Sequence, residues 1–148
     1  MADLASARPL DLSSLRAAVQ ALANSVDVVA SPEFAVADPR WRDTLNAGVV
    51  QHFEFTFELC WKMLKRQLER ELPSPAELDS ASYRELIRLG NQRGLIGEVE
   101  LWFEFRELRN ITAHSYAREK ALKVVAGAGT LLGQAQALLA AIELRNHG

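Results

Sequence analysis

The sequence predicts an all-α protein, on three observations. Period-two alternation of apolar and polar residues is scarce, β-branched residues are sparse, and apolar residues recur at steps of three and four over long proline-free runs. With 148 residues the chain can bury a sizeable core. One domain over 1–148 is expected, with residues 1–10 as a loose tail.

Five helices follow in order. Asp11 can cap the first, which runs to about Val29 and is ended by Ser31-Pro32. Asp38-Pro39 closes a short connection. The second helix spans about Arg40 to Leu72, where Leu45, Val49, His52, Phe53, Thr56, Cys60, Met63, Leu64 and Leu68 mark one face. Phe55, Phe57, Leu59 and Trp61 widen its apolar sector well beyond a narrow stripe, so it is central in its bundle or covered by a second subunit. Glu58 and Lys62 stand in the favourable order for an i,i+4 pair. Pro73-Ser74-Pro75 stops the helix.

Asp79 or Ser80 can start a third helix, through Arg93, and Gly94 and Gly97 bracket the next turn. The fourth starts near Glu98 and repeats Val99, Trp102, Phe103 and Arg106 at helical steps. The fifth covers about Arg118 to Arg145. Its Gly127, Gly129 and Gly133 are poor helix formers that either permit close packing or mark a bend. Trp41 and Trp102 read as packing anchors, Trp61 as core or interface packing, and His52 as a hydrogen-bonded core or interface histidine.

Composition narrows the function classes. A net charge of −2 provides no chain-wide attraction for nucleic acid, so any RNA contact must be local. Cys60 is the single cysteine, which excludes an intramolecular disulfide or a cysteine metal cluster and suits a reducing cytoplasm. The N-terminus lacks the pattern of a signal peptide. The weakly polar stretch Val124 to Gly133 is too short to span a bilayer, so no membrane partner is expected.

Chemistry concentrates in Arg109-Asn110-Ile111-Thr112-Ala113-His114-Ser115-Tyr116. On a helix, Asn110 and His114 share a face, with Arg106 one turn earlier, and Arg109, Thr112 and Tyr116 form the neighbouring stripe about 100° away. Two such stripes can line adjacent walls of one groove, which suits a phosphodiester or a nucleotide. A guanidinium stays charged and grips two phosphate oxygens. An imidazole can take a proton from a ribose 2′-hydroxyl, or give one to a leaving oxygen, near neutral pH. Arg109 and His114 are therefore the candidate catalytic pair, and Asn110 and Arg106 the candidate substrate- or nucleotide-binding residues. The Tyr116 hydroxyl can accept a modification. This chemistry needs no cofactor and no metal, and the spacing of His52, His114 and His147 does not suit chelation. The same residues also suit a structural role. An arginine and a histidine at a helix end can cap carbonyls or pair with Glu104, Glu107 or Glu119, and R-x4-H recurs by accident.

Two segments together, FEFTFELCWKMLKRQLE (Phe53 to Glu69) and RNITAHSY (Arg109 to Tyr116), resemble the small nucleotidyltransferase substrate-binding proteins of the HEPN superfamily (higher eukaryotes and prokaryotes nucleotide-binding). The likeness runs from about Leu12 to Leu144. It implies a five-helix up-and-down bundle with a four-helix core, forming a homodimer. It also implies a separate minimal nucleotidyltransferase as partner, in a toxin–antitoxin-type pair. Arg109 and His114 match the signature R-x4–6-H, and Asn110 is the polar residue after the arginine. In relatives those residues cleave RNA without metal, in a cleft shared by two subunits. Tyr116 completes a longer form, R-x4-H-x-Y, whose tyrosine receives AMP from the partner.

The function expected is a metal-independent RNase-like toxin partnered by a nucleotidyltransferase. The alternative is a non-catalytic nucleotide- or substrate-binding subunit of a two-component nucleotidyltransferase, and a purely structural helical dimer is the third reading. Dimerisation has its own basis in the residues: the second helix and the small-residue fifth helix offer more apolar face than one bundle need bury.

Overall fold

The computed structural model describes residues 8–113 and 117–147. Among them there is no strand. The five expected helices are present as α1 (Ser13–Val29), α2 (Pro39–Glu71), α3 (Tyr83–Gln92), α4 (Val99–Ala113) and α5 (Arg118–Asn146). A single helical turn, Pro32–Ala35, and a 3-10 helix, Pro75–Ser80, fill the two proline-rich connections.

Local chemistry explains the boundaries. Asp11 accepts the Ser13 N–H at 3.0 Å and the Ser13 hydroxyl at 2.7 Å, just ahead of α1. These two hydrogen bonds hold its carboxyl below the usual range. Ser31 caps the single turn by accepting the Phe34 N–H, and Asp38 caps α2 by accepting the Arg40 N–H at 2.8 Å, with Pro39 at the first helical position. The third helix starts later than expected. Asp79 and Ser80 belong to the 3-10 helix, and Ser82 forms a capping box with Glu85. Ser82 Oγ accepts the Glu85 N–H at 3.1 Å while Glu85 Oε1 accepts the Ser82 N–H at 2.8 Å. This reciprocal pair satisfies two orphan donors, which the earlier positions do not achieve. Gly94, with φ of +82°, makes the turn out of α3 that a side chain would strain.

Ion pairs fix the helix directions. Asp43 meets Arg118 at the start of α2 and α5, and Glu71 meets Arg145 at their ends, so the two long helices run parallel. Arg16 near the start of α1 meets Glu143 near the end of α5, so α1 runs antiparallel to it. Gly127 of α5 lies so near Leu108 that a Cβ there would sit 2.7 Å from its Cδ1, which closes α4 and α5 into a tight hairpin. Close packing, the first of the two roles left open for these glycines, holds at Gly127; a Cβ at Gly129 or Gly133 would meet nothing. The up-and-down four-helix core follows from these directions, with α3 as a short extra helix against α2 and α4.

The core sits between α1, α2, α4 and α5. Val49, Phe53, Phe57, Cys60, Leu64 and Leu68 of α2 are buried, as are Trp102, Phe103 and Phe105 of α4. By length and composition α5 could cross a membrane. Its Val124, Ala128, Leu131, Ala135, Leu138 and Ile142 nevertheless form one buried stripe in the bundle. Cys60 is fully buried, and burial pushes its thiol up, away from the reactive thiolate. Leu10, expected in the tail, packs on the core and donates its N–H to Asn146 at 2.8 Å.

Four residues of α2 lie outside the core of the single chain. Trp41 is 68% exposed and Leu45 36%, so neither anchors the core. Phe55 is 54% exposed although its neighbour Phe53 is fully buried. His52 is half-buried, and its Nδ1 has no hydrogen-bond partner among the described residues. The cause is geometric. The sector of α2 that faces α1, α4 and α5 is filled by Val49, Phe53, Thr56, Phe57 and Cys60, and residues a quarter to half a turn from its centre are only partly covered within the single chain.

A cleft at the C-terminal end of α4

A cleft of about 400 Å³ opens between α2, α3 and α4. From α2 come Phe57, Glu58, Trp61 and Lys65, and from α3 and its cap come Ser82, Tyr83 and Leu86. Arg106, Arg109 and Asn110 enter from α4. Helical spacing puts these three within about one turn of each other. Three of the five residues predicted for the site thus meet in one cavity. His114 and Tyr116 lie outside the described residues, which end at Ala113 and resume at Ala117.

Arg109 reaches across to α2, where its Nε donates to Glu58 Oε1 at 3.1 Å. Glu58 therefore pairs with Arg109, while Lys62 places its ammonium over the Trp61 ring at 5.8 Å from the centroid. A guanidinium fork from the facing helix competes well with a flexible ammonium on the same helix, because its planar donors match a carboxylate. The pair is about a third exposed on each side, at 35% and 31%, so water screens it. Its main effect is positional: it ties Arg109 to α2 at the wall of the cleft.

Arg106 is exposed and lies over the Tyr83 ring at 5.0 Å. The Tyr83 phenol donates to the Trp102 carbonyl at 2.8 Å, tying α3 to α4 beneath that guanidinium. Burial pushes the Tyr83 phenol up, against the opposing pull of Arg106. Tyr83 is thus a neutral aromatic wall and not an acid or base near neutral pH. Asn110 is exposed at the rim and also lines a second recess of about 180 Å³ with Tyr83, Arg84, Phe103, Arg106 and Glu107.

Glu58, Trp61, Lys65 and Tyr83 were not singled out for this site from the sequence. Trp61 packs partly against the core, as expected, and also contributes to the cleft wall. A signal was present in the S-x-x-E of Ser82 to Glu85, which sets the phase of α3 and so turns Tyr83 toward α4. No cluster of three or more potential metal ligands exists among the described residues. The cleft offers cations, an amide and flat rings, which together suit a phosphate joined to a base.

Comparison with known proteins agrees with this geometry. Residues 10–144 match a family described as nucleotidyltransferase substrate binding protein like. The chain is 35% identical over 139 residues to a probable ribonuclease HepT of Haemophilus influenzae, covering 93% of this chain and 95% of that one. Among solved structures it resembles a Haemophilus influenzae protein described as revealing the fold of a substrate binding domain of a nucleotidyltransferase. The TM-score is 0.86 at 34% identity, over 90% of this chain and 99% of that one.

Proposed function

The chain belongs to the nucleotidyltransferase substrate-binding protein family, and on that premise we propose that it is a HEPN-type, metal-independent RNase-like toxin working in the cytoplasm with a separate minimal nucleotidyltransferase. The observation that carries the reading is the convergence of Arg106, Arg109 and Asn110 in one cleft, directly before His114 in sequence. The relative's name, a probable ribonuclease, supports it.

In this proposal His114 takes the proton from a ribose 2′-hydroxyl, the 2′-oxygen attacks phosphorus to form a 2′,3′-cyclic phosphate, and the P–O5′ bond breaks as the 5′-oxygen takes up a proton from the imidazolium or from water. Arg109, tied to α2 by Glu58, stabilises the charge that grows on the phosphoryl oxygens. Arg106 and Asn110 hold the neighbouring phosphate and sugar. Purified protein should cleave RNA in the presence of a chelator, and His114→Ala should stop it. Intact RNA after prolonged incubation with the wild type, or cleavage that survives His114→Ala, overturns the assignment.

Tyr116 is the residue on which the partner places AMP, and the active species is a homodimer. Trp41, Leu45, His52 and Phe55 follow the alternating steps of a coiled-coil seam, with the three apolar side chains left exposed in the single chain. A second copy would cover them. Sedimentation at micromolar concentration should find a dimer, and intact-mass measurement after incubation with partner and ATP should find the AMP adduct, absent in Tyr116→Phe. A monomer removes the homodimer, and an adduct that persists in Tyr116→Phe removes the assignment of AMP to Tyr116.

A non-catalytic nucleotide- or substrate-holding subunit is the second reading, favoured by the aromatic wall of Trp61 and Tyr83. It predicts calorimetric binding of ATP or AMP with no loss of RNA.

A further inference from the structure

Along one edge of the cleft and beyond it, α3 and α4 exchange cations and rings. Arg84 and Arg88, one turn apart on α3, both place their guanidinium groups over Phe103 of α4, at 4.3 and 5.3 Å from the ring centroid. In return, Arg106 of α4 lies over Tyr83 of α3. All three arginines are exposed, and none forms an ion pair with a carboxylate among the described residues. Two acids stand nearby. The Glu85 carboxylate accepts the Ser82 N–H in the capping box, and Glu107 lines the small recess with Arg84 and Arg106.

Stacking occupies the flat face of a guanidinium and leaves its in-plane N–H donors pointing outward. An arginine held this way has surrendered side-chain freedom before any ligand arrives, so less is lost when a phosphate binds. Arg106 lines both the small recess and the large cleft, which makes the cationic row continuous with Arg109. The chain as a whole is slightly acidic, so three cations on one edge, none in a salt bridge among the described residues and Arg88 within the field of a nearby acid, Glu85, stand out against its −2 net charge.

We propose that Arg106, Arg84 and Arg88, stacked on Tyr83 and Phe103, form a phosphate track that grips an RNA strand as it leaves the Arg109 cleft. The proposal rests on the RNA reading given above and deepens it by naming where the rest of the strand runs. A mononucleotide reaches only the cleft. A longer strand reaches the track.

The test compares the full-length His114→Ala protein, which keeps the RNA intact, with the same protein carrying Arg84→Ala and Arg88→Ala. Binding of a labelled oligouridylate of about a dozen nucleotides is followed by anisotropy over a salt series, with AMP as the short ligand. Each lost phosphate contact to a single strand removes about 0.7 from the slope of log affinity against log salt, so the slope should fall by about 1.4. Affinity near physiological salt should drop on the order of tenfold, while AMP binding stays unchanged and the melting temperature falls by no more than a few degrees, the loss of two exposed cation–π contacts. Lysine at both positions should restore much of the slope, because charge is kept.

If the parent binds RNA and the slope is unmoved by the double alanine change, the track is wrong and the RNA reading stands. A parent that binds no RNA overturns both. A double variant that binds RNA normally but no longer co-sediments with the nucleotidyltransferase assigns the arginines to an acidic protein surface, and the track falls.

Discussion

Under the proposed RNase function, Arg109→Ala is expected to lower the rate of metal-free RNA cleavage by about 10²- to 10³-fold, the loss that accompanies removal of one preorganised group facing transition-state charge. Loss of the Glu58 contact in the same change should cost little stability. The Arg109–Glu58 pair is about a third exposed on both sides, and a solvent-reached ion pair contributes no more than about 1 kcal/mol. The two magnitudes differ enough to separate catalysis from scaffolding. A structural role predicts equal, small stability losses for Arg109→Ala and Glu58→Gln, with cleavage unchanged in both. A catalytic role predicts a large rate loss for Arg109→Ala and a smaller one for Glu58→Gln, which leaves the guanidinium in place without its guide. Single-turnover rates on one RNA, measured beside thermal melts of the same preparations, decide between them. Arg109→Lys adds a check, since it keeps the charge but loses the planar fork, and it should recover only part of the rate.

Phe53→Ala is expected to destabilise the bundle by about 3–5 kcal/mol. Phe53 is fully buried and meets Phe105 edge-on, with ring centroids 6.3 Å apart and planes at 84°. Truncation removes buried ring area and leaves a cavity between two rigid helices that cannot collapse to fill it. At this chain length each kcal/mol moves the melting temperature by about 2–4 °C, so a fall on the order of 10 °C should be seen. Phe55, two positions on and 54% exposed, provides the contrast. Within a single chain Phe55→Ala should change stability by no more than about 0.5 kcal/mol. A larger loss that grows at low protein concentration would show that a second copy covers that face. Equal effects of Phe53→Ala and Phe55→Ala in a protein that sediments as a monomer would contradict the burial pattern.

Helix number and order were legible from apolar spacing and from the prolines and glycines between the runs, and all five helices lie close to their expected ranges. The start of α3 was not. Several serine and acidic residues between Pro75 and Glu85 can cap a helix, and choosing among them depends on which satisfies donors reciprocally, as Ser82 and Glu85 do. The inner and outer faces of α2 were only half legible. Phe53 and Phe55 are the same residue type on nearly opposite sides of a helix that is apolar on both, and which one is buried depends on where α1, α4 and α5 lie.

The site divides in the same way. Arg106, Arg109 and Asn110 could be grouped from a single helix, because 3.6 residues per turn is a property of the backbone alone. Glu58, 51 positions earlier in the chain, could not be assigned to Arg109, nor Tyr83 to Arg106, because those pairings depend on how three helices cross. Periodicity and punctuation, which act over a turn or two of chain, determined the helices and the chemical character of the stretch from Arg109 to Tyr116. Only the packed bundle decided which aromatic rings carry the arginines and which apolar residues were left outside. Those choices are made by contacts between distant segments, and no local pattern encodes them.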